Sequence, residues 1–258
     1  ANTNLMMNRY SMLNLVVATQ QGGDISGTII SSDSPLHVMG ATECANVPNG
    51  QTFYCDHVEE AMLPLEYWGE EYVGAHASAR SGNEKYHWRV YSGEDGVTIN
   101  TTPAQPGFPI MLNKGQFHQF QANPAPNNSF VITGDGPFMP VQYLEGQTGG
   151  GNTGDPSMIQ SVPTEQYLDA YAFVTGTGYT VHYVQVIRPN GGAEVFIDGN
   201  MVGGYYAVGN YQVADVATTQ GAHFANSDQP FGIIQVGYTD ATSYGYPGGM
   251  KLEVINPQ

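Results

Sequence analysis

The chain has 258 residues, enough for one large domain or two ordinary ones with a substantial buried core. Its 23 acidic against 7 basic residues give a formal charge of −16, which repels a phosphate backbone and argues against nucleic-acid binding through a basic face. With 33 Gly, 16 Pro and 17 Tyr, the composition favours short strands joined by turns and excludes a helical bundle or coiled coil.

No run approaches the ~20 apolar residues of a membrane-spanning helix, so no membrane insertion is expected. The first residue is Ala1, which fits a processed secretory product or an excised piece equally. Apolar and β-branched alternation then predicts strands over Met12–Thr19, Thr28–Ser31 and Leu36–Gly40. Cys44 and Cys55 follow, 11 positions apart across the turn-forming Pro48-Asn49-Gly50. That separation suits a local disulfide and offers too few ligands for zinc, which favours an oxidising, extracytoplasmic compartment. A single helical turn is expected at Val58–Met62. Further strands are predicted at His87–Tyr91, Val97–Asn100, Phe117–Gln121, Phe130–Thr133, Val141–Leu144, Ala170–Thr175, Val181–Ile187, Glu194–Ile197, Tyr211–Val216, Ile233–Tyr238 and Leu252–Ile255. The glycine-rich stretch Gly149–Gly154 reads as a flexible loop.

Self-similarity organises these strands. Ser32-Asp33-Ser34-Pro35-Leu36, Gly134-Asp135-Gly136-Pro137-Phe138 and Ser227-Asp228-Gln229-Pro230-Phe231 share a turn running into an apolar strand. Asp56, Pro64, Glu66 and Tyr72 match Asp155, Pro163, Glu165 and Tyr171 at one offset of 99 residues, and Gly96–Ile99 pairs with Gly192–Val195. The expected fold is all-β, built of repeated antiparallel sandwich-like units of about 95–100 residues. Residues 1–65 form a partial first unit, 66–165 a second and 166–258 a third. Unpaired edges in the partial unit lead to the expectation that residues 1–30 or 250–258 make strand contacts beyond their own repeat.

The run from Glu43-Cys44-Ala45-Asn46-Val47-Pro48 to Cys55-Asp56-His57-Val58-Glu59-Glu60, with Trp68-Gly69, Arg89-Val90 and Glu94-Asp95-Gly96, resembles the N-terminal domain family of the IgG-Fc-binding proteins. Gly154-Asp155-Pro156-Ser157-Met158, Pro163-Thr164-Glu165-Gln166-Tyr167 and Ser243-Tyr244-Gly245-Tyr246-Pro247-Gly248-Gly249 carry the same resemblance over most of the chain. It implies a secreted, mucin-associated or bacterial cell-surface module, and brings no catalytic residue set.

The densest carboxylates are Asp56, Glu59, Glu60, Glu66, Glu70 and Glu71. Paired carboxylates could cleave glycosides if close in a cleft, and Asp/Gly loops such as Gly93-Glu94-Asp95-Gly96 and Gly134-Asp135-Gly136 could bind calcium. A solvated face is the plainer reading. Asp56, Glu59, Glu60, Asp95 and Asp135 are therefore the candidate ligand or calcium surface. The seven histidines never adopt H-x-H or H-x-x-x-H spacing, and no Gly-x-Ser-x-Gly elbow or P-loop occurs. Tyrosines of Gly203-Gly204-Tyr205-Tyr206, with Tyr238, Tyr244 and Tyr246, could stack on sugars or dock protein, or simply fill the core. The expected function is a non-enzymatic extracellular adhesion or recognition module for a glycan or protein. A structural subunit of a homopolymeric filament or sheath is the alternative, and a glycan-active hydrolase a third.

Overall fold

The computed structural model describes residues 3–17, 23–52, 54–81, 84–123 and 128–257. Its strands are β1 (Met39–Ala45), β2 (Asp56–Ala61), β3 (Glu71–Gly74), β4 (His87–Ser92), β5 (Val97–Thr102), β6 (Ile110–Leu112), β7 (Phe117–Gln121), β8 (Phe130–Gly134), β9 (Phe138–Tyr143), β10 (Met158–Gln160), β11 (Leu168–Thr175), β12 (Val181–Pro189), β13 (Val195–Ile197), β14 (Asn200–Met201), β15 (Tyr206–Val208), β16 (Tyr211–Thr218), β17 (Gly221–Thr239) and β18 (Thr242–Pro247). The fold is all-β and its ladders are antiparallel.

Alternating side chains give each strand an inner and an outer face. In the first sandwich the sheets β3-β8-β5-β6 and β10-β9-β4-β7 close over Tyr72, Trp88, Val90, Ile99, Phe130 and Ile132. In the second, β17 is long enough to serve both sheets. Its first half pairs with β11 and β13, and its second half with β12 and β18. The resulting sheets, β11-β17-β13-β14 and β18-β17-β12-β16-β15, enclose Tyr171, Phe173, Val184, Val186, Val195 and Phe231.

The two sandwiches use matching registers. Tyr72 lies opposite Ile132 and Tyr171 opposite Ala225, while Val90 lies opposite His118 and Pro140, and Val186 opposite Ala214 and Ile233. Each is entered by a short 3-10 turn after a proline, Leu65–Tyr67 after Pro64 and Thr164–Gln166 after Pro163. A buried tyrosine then clasps each sandwich. The Tyr72 hydroxyl accepts from Gly69 N–H at 2.9 Å and donates to Phe138 O at 2.6 Å, and Tyr171 does the same with Leu168 N–H at 2.9 Å and Phe231 O at 2.5 Å.

The N-terminal region departs from expectation. Among the described residues no strand forms before Met39, so Thr28–Ser31 and the described part of Met12–Thr19 are not strands, and residues 18–22 lie outside the description. Val58–Met62 is not a helical turn either, because Asp56–Ala61 pairs with Met39–Ala45 as β2. Residues 250–256 form no strand. They run along both 3-10 turns, with Lys251 N–H donating to Gln166 O at 3.0 Å and Ile255 N–H to Glu66 O at 3.0 Å. The chain's end thus reaches beyond its own sandwich through irregular backbone.

Candidate interaction surfaces

The sheets stack in four layers because the outer face of one sandwich is apolar and so is its neighbour's. Val73 on β3 and Val131 on β8 point away from the first core and join Ile187, Val213, Ile234 and Val236 of the second sandwich in a shared buried cluster. Burying each such side chain stabilises the junction by roughly 1.5–3 kcal/mol. Gly209 turns tightly beneath Val131 with φ +57°, and a Cβ there would stand 2.7 Å from the Val131 side chain. Polar contacts ring this apolar centre, including Thr164 to Glu71 at 3.2 Å and the Tyr211 hydroxyl on the same carboxylate.

A buried charge network seals the other side of the junction, and no feature of local sequence announces it. Arg80 Nε donates to Glu84 at 2.8 Å, and its Nη atoms reach Glu145 O at 2.7 Å and Thr153 O at 3.2 Å. The Glu145 carboxylate receives the Lys85 N–H at 3.0 Å and faces His87 Nε2 at 3.0 Å. Burial works against its ionisation, yet these two bonds outweigh it and hold the carboxyl below its ordinary value. The Gly149–Gly154 stretch, expected as a loose loop, is tied into this network: Ser81 donates to Gly149 O at 3.1 Å and Gly154 N–H to Thr239 O at 2.7 Å.

The predicted acidic surface is distributed over separate elements. Asp56, Glu59 and Glu60 lie on β2. Asp95 accepts from Lys114 N–H at 3.0 Å and Asp135 from Thr98 N–H at 2.7 Å, so both stitch turns of the first sandwich. Among the described residues no three His, Cys, Asp or Glu groups are arranged to hold a metal. Glu60 faces Gln160, whose backbone and side-chain N–H groups reach its carboxylate at 3.4 Å. Burial raises its pKa to about 6, against the hydrogen bonds it accepts from Gln160. It borders an open cleft of about 330 Å³ with Leu63, Val162, Met250 and Leu252. Cys44 and Cys55 are bonded, with their Cα atoms 5.1 Å apart.

The candidate tyrosines are mostly structural. Tyr238 is buried and donates to Ser78 O at 2.8 Å, Arg188 lies 4.0 Å over the Tyr205 ring, and Tyr246 donates to Val174 O.

Among the described residues, two apolar surfaces stand uncovered instead. On the outer face of the sheet β11-β17-β13-β14, Ala172 lies opposite Phe224 and Phe196 opposite Met201, and Val174, Phe224 and Met201 are exposed. The second surface is the N-terminal arm, residues 3–17, whose Leu5, Met6, Met7, Tyr10, Met12, Leu13, Leu15 and Val16 are all exposed. The strand expected over Met12–Thr19 falls partly on this arm, and its described residues pair with no strand. Among the described residues, no helix is long and apolar enough to cross a membrane.

A search against protein families matches residues 1–237 to the family described as IgGFc binding protein. A human relative called IgGFc-binding protein is 21% identical over 249 residues, covering 94% of this chain but 4% of that protein's length. With the matched region spanning most of both sandwiches and the disulfide-bonded hairpin, the chain belongs to the IgGFc-binding protein family.

Proposed function

We propose that the chain is an extracellular protein-binding module that works through sheet faces and an apolar arm, without chemistry of its own. The observation that carries this is the bare outer face of the sheet containing β11 and β17. Scattered exposed apolar residues are ordinary, whereas a contiguous apolar face marks a contact surface. The Cys44–Cys55 bond supports an oxidising compartment. The division into repeats is part of the reading: residues 66–165 and 166–258 are two copies of one unit, and residues 1–65 contribute part of another. The matching tyrosine clasps and strand registers support it.

The human relative's name points to immunoglobulin Fc, and mucin is the glycoprotein the family resemblance suggests. Surface plasmon resonance against immobilised mucin and against IgG Fc tests the reading. Saturable binding that survives chelator is expected. Binding confined to polyanions such as heparin would contradict it, because a chain of −16 net charge repels them as a whole. A structural role in an extracellular assembly is the second reading, favoured by the layered stacking of apolar sheet faces.

A further inference from the structure

Position by position, the two sandwiches treat the same outer face differently. Val73 and Val131 lie opposite each other in the first sandwich, and Ala172 and Phe224 occupy the corresponding pair in the second, one residue beyond the clasping tyrosine. Val131 is 8% exposed, because the next sandwich covers it. Phe224 is 52% exposed. The face that is an interface once within the chain is thus presented a second time, with Phe224 in place of Val131 and, among the described residues, nothing covering that ring. Strand β11 beside it has a free edge among the described residues, where it pairs with β17 alone.

The arm has the complementary properties. It is apolar and lies outside any strand, with a turn at Asn8–Ser11 and with Met12 94% and Val16 81% exposed. Among the described residues its one backbone hydrogen bond is internal, from Ser11 N–H to Asn8 O. Its single charged residue is Arg9. Arg80, Arg89 and Arg188 are paired with Glu84, Asp24 and Glu194, whereas Arg9 lies over the Tyr10 ring with no carboxylate partner among the described residues. In a chain of −16 charge, the arm is a cationic, apolar segment. The acceptor sheet carries the exposed Asp169 at the start of β11, whereas Asp198 between β13 and β14 is already paired with His223 at 2.6 Å.

We propose that the sheet face around Phe224 receives the N-terminal arm of a second copy of this chain, giving head-to-tail self-association. This rests on the reading of the chain as a protein-binding module. Arm and face are different surfaces, so the contact is heterologous and each subunit keeps one free arm and one free face for further copies. An extended apolar segment laid against a free strand edge gains main-chain hydrogen bonds together with side-chain burial.

The test is sedimentation velocity on the full chain over a range of concentrations, with Phe224→Asp and with the double variant Met12→Asp/Val16→Asp. All three positions are exposed, and circular dichroism checks that both variants fold. The wild type is expected to form species that lengthen with concentration. Each variant alone should require at least about tenfold more protein to associate, as expected on losing a central apolar anchor. An equimolar mixture should form one-to-one pairs, because the intact arm of the Phe224 variant meets the intact face of the arm variant. A wild type that stays monomeric, a variant that associates like the wild type, or a mixture that does not pair would each overturn the proposal. Mucin and Fc binding are scored separately: wild type that binds either while remaining monomeric refutes self-association alone, and self-association without either leaves this inference standing.

Discussion

Tyr72 and Tyr171 show how a single hydroxyl can fasten a sandwich. Each ties the strand entry to a distant backbone segment, accepting one backbone N–H and donating to one carbonyl, with the ring packed 5.0 Å from Phe138 or Phe231. Burial drives both hydroxyls above their ordinary pKa, so they remain protonated donors. Replacing either with Phe removes the oxygen and leaves a buried N–H and C=O unpaired, at a cost of about 1–3 kcal/mol. Urea denaturation of Tyr72→Phe and Tyr171→Phe should give losses of similar size, and a negligible loss at either position would refute the clasp. Glu60 makes a second prediction at this scale. Its carboxyl, raised from 4.5 to about 6 by burial, binds a proton more tightly folded than unfolded. The associated stability is fully present below the unfolded value and is lost as pH rises through about 6. Wild type should therefore lose about 1–2 kcal/mol relative to Glu60→Gln across that interval. Thermal melts of the two proteins at matched pH measure the difference, and parallel curves would refute the assignment.

Strand β2 illustrates how pairing overrides local preference. Val58-Glu59-Glu60-Ala61-Met62 suits a helical turn by composition, but Ala61 lies opposite Met39 and Glu59 opposite Ala41, and the disulfide fixes the loop end of the hairpin. A two-stranded ribbon is marginal by itself. Gln160 supplies further anchorage, donating from its side-chain amide to Ala61 O at 2.6 Å. Closing this short loop is worth roughly 2–3 kcal/mol. Reduction should therefore expose β1 and β2 to hydrogen exchange before either sandwich opens, and intact mass should show no alkylation until a reductant is added. Thiols that alkylate without one would refute the bond. Alternation made most of the later strands legible, Phe117–Gln121 among them with the bounds it has in the structure. It failed before Met39, where Met12–Val17 has strand composition but no partner strand among the described residues. It also could not reveal the Arg80–Glu84–Glu145 network, because Glu145 is 65 residues from Arg80 and only the folding of the first sandwich brings them together.

At the scale of the whole molecule, the layered arrangement explains why equivalent positions carry different consequences. The first sandwich cannot be judged alone, since its outer face around Val131 is inner to the assembled chain, packed near Ile187, Val213 and Ile234. A carboxylate at Val131 would be forced into that apolar layer without a partner, and truncating the contact would also uncover Val73. The face around Phe224 has the same position in the strand register but meets solvent. Val131→Asp should therefore cost about 3 kcal/mol or more, or prevent folding, while Phe224→Asp should change the monomer's stability by no more than about 0.5 kcal/mol. Chemical denaturation at dilutions where the protein is monomeric measures both without interference from association. Equal effects would mean that the two faces are equally covered or equally bare, and the four-layer stack would then be wrong. A loss confined to Val131→Asp ties stability to the junction within the chain, leaving the Phe224 face free for contact with another molecule.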